Sequence, residues 1–223
     1  MKRLFSVSIL LSVISIFIAV NAGFCDDVIY GFEKDGQGWA IPDWACEKID
    51  YVCKTVEISS DAAIEGSSSL KLDVDFPKEA WRAAVIEVED VFYWEEYNFL
   101  FVDIYLPDNV PNGISGRFAM TVGDDWLWIE PVMPVNLMPG KWVTVQASLR
   151  VDNVDWKKTE MVEERGIDGK IRGYVKKEIP VILSQEYKDD IHTIAVRIEA
   201  DRIKYEGPVY IDNIRLVKEL PKE

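Results

Sequence analysis

Phe99-Leu100-Phe101-Val102-Asp103-Ile104-Tyr105-Leu106 is the stretch that decides the fold. Successive side chains of an extended chain point to opposite sides. Leu100, Val102, Ile104 and Leu106 therefore share one face, and Phe99, Phe101, Asp103 and Tyr105 the other. An all-aliphatic face needs a core to bury it. The segment from Pro107 to Gly113, with two prolines, stops the strand.

The same period of two recurs on both sides. Between Ser67 and Phe76, Leu70, Leu72, Val74 and Phe76 alternate with Lys71, Asp73 and Asp75. From Arg117 to Gly123, Phe118, Met120 and Val122 oppose Arg117, Ala119 and Thr121. From Trp142 to Leu149, Val143, Val145, Ala147 and Leu149 oppose Thr144, Gln146 and Ser148. Near the end, Ile194, Val196 and Ile198 oppose Thr193, Arg197 and Glu199. Val28–Glu33, Tyr51–Ser59 and Gly207–Val217 read as further strands, and the alternation of Ala80–Val91 favours a strand over a helix. With no convincing amphipathic helix and no repeat, this predicts an all-β chain folded as a jelly-roll β-sandwich. It spans 28–218 as one domain, with a short tail at 219–223. Only Asp152 to Asp190 breaks the rhythm: charged and turn-rich, it reads as an inserted excursion with short strands near Lys170–Lys176 and Ile179–Leu183.

Ahead of the domain, Met1-Lys2-Arg3 and the apolar run Leu4–Val20 read as a secretory leader. Small residues precede a cleavage point after Ala22. An uncleaved anchor is the competing reading, since about 17 apolar residues lie at the lower limit for a bilayer span. Acylation of Cys25 fits less well, because Phe24 sits where a small residue is needed. Cleavage leaves residues 23–27 as a short N-terminal segment and predicts a secreted or periplasmic protein with no membrane span in its mature form. The formal charge of −14 disfavours nucleic acid and anionic lipid and suits neutral ligands or divalent cations. Cys46 and Cys53 are close in sequence, and an oxidising compartment makes a small disulfide loop plausible; two reduced thiols are the alternative.

A second stretch points to function. In Asp124-Asp125-Trp126-Leu127-Trp128-Ile129-Glu130, a hairpin turn leads into a strand. Leu127 and Ile129 face the core, and Trp126, Trp128 and Glu130 face away from it. Two indoles and a carboxylate on an outer face suit a sugar, whose C–H patches stack on indoles while its hydroxyls pair with polar side chains. The other outward positions add Arg117, Asp103, Tyr105, Gln146 and Arg197. If their strands share a sheet, these residues form one groove; Arg117, Asp103 and Arg197 read equally well as salt-bridge partners on a solvated sheet. Trp44, Trp81, Trp94 and Trp156 lie in or near loops and are candidates for its rim.

Several motifs resemble the galactose-binding-like β-sandwich carbohydrate-binding modules. They are Tyr30-Gly31-Phe32-Glu33 with Gly38-Trp39, Glu65-Gly66-Ser67-Ser68-Ser69-Leu70-Lys71, Phe101–Pro107, Gly140-Lys141-Trp142 and Val209-Tyr210-Ile211-Asp212-Asn213-Ile214. The resemblance implies packing roles for Trp39 and Trp142, and a structural calcium held by Glu33, Glu65 and Asp212. The alternative for Asp212 and Glu65 is satisfying backbone amides at a bulge. The 152–190 excursion and the Cys46/Cys53 pair depart from the family pattern.

Catalytic signatures are weak. His192 is the single histidine, no nucleophile triad or phosphate loop is present, and Glu87 with Glu89 is the one carboxylate pair worth naming. The combined expectation is a secreted, monomeric, non-catalytic protein that binds a neutral β-linked polysaccharide or oligosaccharide. A cell-envelope or adhesion protein docking other proteins through the excursion is the alternative. A sandwich-fold glycoside hydrolase or lyase ranks third.

Overall fold

The computed structural model describes residues 26–48, 51–90 and 92–220. The expected leader, Cys25 and the last three residues of the tail lie outside them.

The chain enters on β1 (Asp26–Tyr30) and a single helical turn, α1 (Asp43–Cys46). Five longer strands follow: β2 (Cys53–Ser59), β3 (Ser69–Phe76), β4 (Trp81–Glu89), β5 (Phe99–Tyr105) and β6 (Ile114–Val122). Next come β7 (Leu127–Pro131), the two-residue β8 (Val135–Asn136) and β9 (Trp142–Ser148). Two long strands, β10 (Asn153–Arg165) and β11 (Ile171–Leu183), precede the short α2 (Gln185–Asp189). Then β12 (Ile191–Asp201) and β13 (Tyr205–Val217) complete the fold.

The named strands pair antiparallel in two sheets. One runs β2-β3-β13-β5-β9 with β1 against β13, and the other runs β11-β10-β7-β6-β12-β4 with β8 against β6. Between them lies the core. Leu100, Val102, Ile104 and Leu106 are fully buried there and meet Phe118, Met120, Ile194, Val196 and Ile198 from the facing sheet. This is the all-β sandwich that the alternation requires.

The excursion is more regular than expected. Residues 153–183 form one hairpin of two 13-residue strands, and only Trp156 and Lys157 pair it to the rest of its sheet, against Pro131 and Glu130 of β7. Its outer part has solvent on both faces, so charged residues occur on both and the hydrophobic period that marks a half-buried strand is missing. Trp156 anchors the base: it is fully buried, and its indole donates to the Ser148 carbonyl at 2.9 Å.

Trp126 also departs from its expected place. It ends the turn that begins at Gly123, its amide donating to the Gly123 carbonyl at 2.9 Å, and its φ of 51° leaves it outside β7. The period-two rule therefore does not carry Trp126 onto the face of Trp128. Cys46 and Cys53 are free thiols rather than a disulfide. Cys46 is exposed at the end of α1, and Cys53 is buried at the start of β2, where burial pushes its thiol pKa up to about 12. No helix among the described residues is long and apolar enough to cross a membrane.

Candidate functional site

The outward side chains of the seven-stranded sheet line a cleft of 690 Å³. Val85 on β4, Arg197 and Glu199 on β12, Arg117 on β6, and Trp128 and Glu130 on β7 make its floor. Lys157, Thr159, Lys176 and Glu178 of the hairpin form one wall. The segment carrying α1, with Trp44, Lys48 and Tyr51, forms another. That volume lies within the usual range for small-ligand sites.

Three indoles frame it. Trp44 and Trp128 meet edge to face, with centroids 5.8 Å apart and an interplanar angle of 83°. Two rings at a right angle make a corner with one aromatic face on each side. The half-buried Glu87 carboxylate accepts a hydrogen bond from the Trp44 side chain, and burial of Glu87 pushes its pKa up. Trp81 stands exposed at the start of β4, with the Arg197 guanidinium 5.7 Å from its ring centroid.

The floor is ionic yet balanced. Arg117 Nη2 donates to Glu199 Oε2 at 2.9 Å, and Nη1 donates to Glu130 Oε1 at 3.3 Å and to the Pro131 carbonyl at 3.0 Å. Arg117 Nε lies 2.9 Å from Glu199 Oε1, an ion-pair approach without hydrogen-bond alignment. Arg197 pairs with Glu130 and places Nη2 3.0 Å from Glu199 Oε1. Lys157 pairs with Glu178 and lies 3.6 Å from Glu130. Three cations thus face three carboxylates, and all but Glu178 are largely withdrawn from water. Burying unpaired charge would cost several kcal/mol per ion, so the pairing is what makes this floor tolerable. Desolvation lowers the pKa of Arg197, which remains a cation at neutral pH. The result is a fixed set of N–H donors and carboxylate acceptors with no surplus formal charge.

Of the residues expected at the groove, the cleft collects Trp128, Arg117, Glu130 and Arg197. Trp126, 54% exposed, instead stacks on His192 with centroids 4.3 Å apart and planes 8° from parallel, outside the cleft lining. Asp103, Tyr105 and Gln146 belong to β5 and β9 of the opposite sheet, so they cannot share a face with the others. Asp103 is 2% exposed and accepts bonds from Thr144 Oγ1, Asn213 Nδ2 and Arg215 Nη1 at 2.5, 2.9 and 2.6 Å. Tyr105 packs between Trp142 and Tyr210, at 5.4 and 6.0 Å. Alternation reveals which way a side chain points but not which sheet its strand joins. Among the loop tryptophans, Trp44 and Trp81 reach the rim, whereas Trp94 and Trp156 are core. Lys157, Thr159 and Glu178 escaped notice because they fall outside the two short strands expected near Lys170–Lys176 and Ile179–Leu183.

Glu33 and Asp212 converge on the loop before β3. Asp212 Oδ2 accepts from the amides of Ile64 at 3.0 Å and Glu65 at 3.3 Å, and Oδ1 from Asn213 at 2.7 Å. Glu33 accepts from the Ser67 amide at 3.1 Å, the Ser67 hydroxyl at 2.9 Å and the Ser68 amide at 3.4 Å. A Cβ on Gly66 would lie 2.0 Å from Glu33 Oε1, and the φ of +63° there also favours glycine. Glu65 contributes its amide, and its side chain is exposed. Carboxylates turned toward N–H groups do not form an oxygen cage, so this arrangement does not fit a calcium ion. Among the described residues no cluster of three or more His, Cys, Asp or Glu gathers for a metal.

The family profile described as Carbohydrate binding module 27 matches residues 28–219. The chain belongs to that family. Among curated proteins none matches this module. The chain is also similar to solved structures of low sequence identity. A family 27 module of Caldicellulosiruptor saccharolyticus, in complex with mannohexaose, is 16% identical, with TM-score 0.48 over 82% of this chain and 91% of that one. A module specific for non-crystalline cellulose, from family 28, is 15% identical, with TM-score 0.51 over 86% and 96%. A family 27 module described by its specific mannan recognition, TmCBM27, is 21% identical, with TM-score 0.37 over 74% and 80%.

Proposed function

We propose that this family 27 module binds a neutral β-linked polysaccharide or oligosaccharide in the cleft between Trp44, Trp81 and Trp128, as a non-catalytic, exported monomer. The observation that carries the reading is the pairing of three indoles with an ionic floor whose charges cancel. Pyranose faces would lie on the indoles. Hydroxyls would meet Thr159 and also Arg197, Lys157 and Glu178, whose positions the ion pairs fix before ligand arrives. Such preorganisation lowers the ordering cost of binding. The six paired residues add no Coulombic preference of their own, while Lys48, Arg82 and Lys176 elsewhere in the lining are cationic. A mannan is the first ligand to try, because the two family 27 structures above are described with mannohexaose and with mannan.

The test is affinity electrophoresis in gels containing mannan, β-glucan or xylan. We expect retardation by at least one, loss of retardation in Trp128→Ala, and unchanged retardation in Trp126→Ala, with both variants folded by circular dichroism. Retardation that survives Trp128→Ala but not Trp126→Ala would move the site to the turn before β7, where Trp126 stacks on His192. Absence of retardation on any glycan would overturn the reading. Release of reducing ends from the retained glycan would overturn its non-catalytic part.

A further inference from the structure

The hairpin reaches far beyond the cleft that its base lines. Paired residues on an antiparallel ribbon share a face, which sorts its side chains into two sets. Lys157 with Pro180, Thr159 with Glu178, Met161 with Lys176, and Glu163 with Tyr174 lie on one face. Val162 with Val175 lies on the other. Lys157, Thr159, Lys176 and Glu178 line the cleft. Met161 and Tyr174 continue the same face outward, 58% and 59% exposed. At about 3.4 Å per residue, Tyr174 stands roughly 14 Å along the strand from Glu178. That places Tyr174 well beyond Glu178, the cleft-lining residue next but one to it on this face.

The base of this arm is fixed on both sides. Trp156 is sunk in the core, and Lys157 ties Glu178 to Glu130 on the cleft floor. The arm is therefore aimed relative to the cleft, not merely attached near it. Its cleft-side face alternates Thr, Glu and Lys with one Tyr and one Met. That composition offers hydroxyl partners and a single aromatic platform, rather than the contiguous apolar patch a stable protein partner would cover. The exposed edge of β11 carries Lys176, Lys177 and Pro180, residues that discourage strand addition by a second copy.

Resting on the glycan reading above, we infer that the β10–β11 hairpin is a second segment of the sugar-binding surface, with Tyr174 as its platform. Through it the module prefers long chains to short ones. The experiment compares tri- and hexasaccharides of mannan, cellulose and xylan by isothermal titration. Tyr174→Ala weakens the hexasaccharide by about 3- to 10-fold, the range of one aromatic contact, and leaves the trisaccharide unchanged. Tyr174→Phe retains hexasaccharide binding, and Val175→Ala on the opposite face alters neither ligand. Equal weakening of both lengths, or none of either, overturns the extension while leaving the cleft assignment standing if Trp128→Ala still abolishes binding. A Tyr174→Ala effect on self-association with none on sugar also overturns it, in favour of a protein contact. Absence of binding by the unaltered protein overturns both.

Discussion

Glu130 is where the account of the cleft floor is most exposed to refutation. Its carboxylate pairs with Arg197, accepts a bond from Arg117 at 3.3 Å, and lies 3.6 Å from Lys157. Replacement by alanine leaves those three cations with one buried carboxylate, Glu199, and one exposed carboxylate, Glu178. Breaking a buried pair by removing one partner costs about 3–5 kcal/mol, because the remaining charge stays desolvated. An exposed pair of the same geometry would contribute only about 0–1 kcal/mol. The two figures are far enough apart for stability alone to decide which regime applies. For a domain of this size each kcal/mol moves the midpoint about 2–4 °C, so Glu130→Ala should lower Tm by roughly 6–20 °C. Urea unfolding followed by tryptophan fluorescence gives the same difference as a shift in midpoint at constant slope. Glu130→Gln keeps the shape and one acceptor, and should fall between the two proteins. The loss should persist at high salt, since desolvated pairs are weakly screened. A cost under about 1 kcal/mol, or one abolished by salt, would show that water reaches the network and would remove the argument for a preset floor.

Asp212→Ala strips the acceptor from the amides of Ile64, Glu65 and Asn213 and should cost about 2–4 kcal/mol, less than three times the roughly 1–3 kcal/mol of a fully buried unsatisfied group because all three amides are only partly buried. Melting with and without a chelator should give the same difference; a parent protein that drops to the variant's Tm in chelator would assign the stabilisation to a bound cation instead. Glu33 provides the pH test, since bonds from the Ser67 hydroxyl and amide hold its pKa below the usual carboxylate value. A depressed acid stabilises the fold above its unfolded pKa and loses that contribution as pH falls through its folded pKa, so the protection of the Ser67 and Ser68 amides, relative to their intrinsic exchange at each pH, should fall on acidification. In Glu33→Gln that acid-dependent loss of protection should disappear, and its persistence would discard the cap.

The sandwich was legible because its central strands bury one face each. The aliphatic sets of 100–106, 118–122 and 194–198 are all in the core. Partition between sheets was not legible. Asp103 and Arg117 both point outward from strands of similar pattern, yet one fastens the six-stranded sheet and the other floors the cleft. Local backbone chemistry separated Trp126 from Trp128, since a turn with positive φ does not obey the strand period. The hairpin was hidden for a different reason: solvent on two faces removes the hydrophobic alternation, although its Lys157 and Glu178 complete the network. Glu33, Glu65 and Asp212 were legible only as three acids of one motif set, while the hydrogen bonds that define what Glu33 and Asp212 do depend on which way the amides of the loop before β3 turn.

The ionic floor is costly by the standards of the rest of this chain. Buried ion pairs are often matched or exceeded in stability by apolar residues of similar size, so their presence is weak evidence for a stabilising role. Here the network occupies the outer face of one sheet. Over the same strands the inner face is aliphatic and aromatic, so the fold builds an apolar surface wherever packing alone is served. Departures from local economy concentrate at functional sites. Arg117, Arg197, Lys157, Glu130 and Glu199 also hold one another in place, which keeps their orientation independent of a ligand. A polyhydroxylated chain arriving against Trp44, Trp81 and Trp128 would meet donors and acceptors already desolvated and oriented. A flexible charged surface would instead have to be desolvated and ordered during binding, and that difference is the physical reason for placing recognition in this cleft.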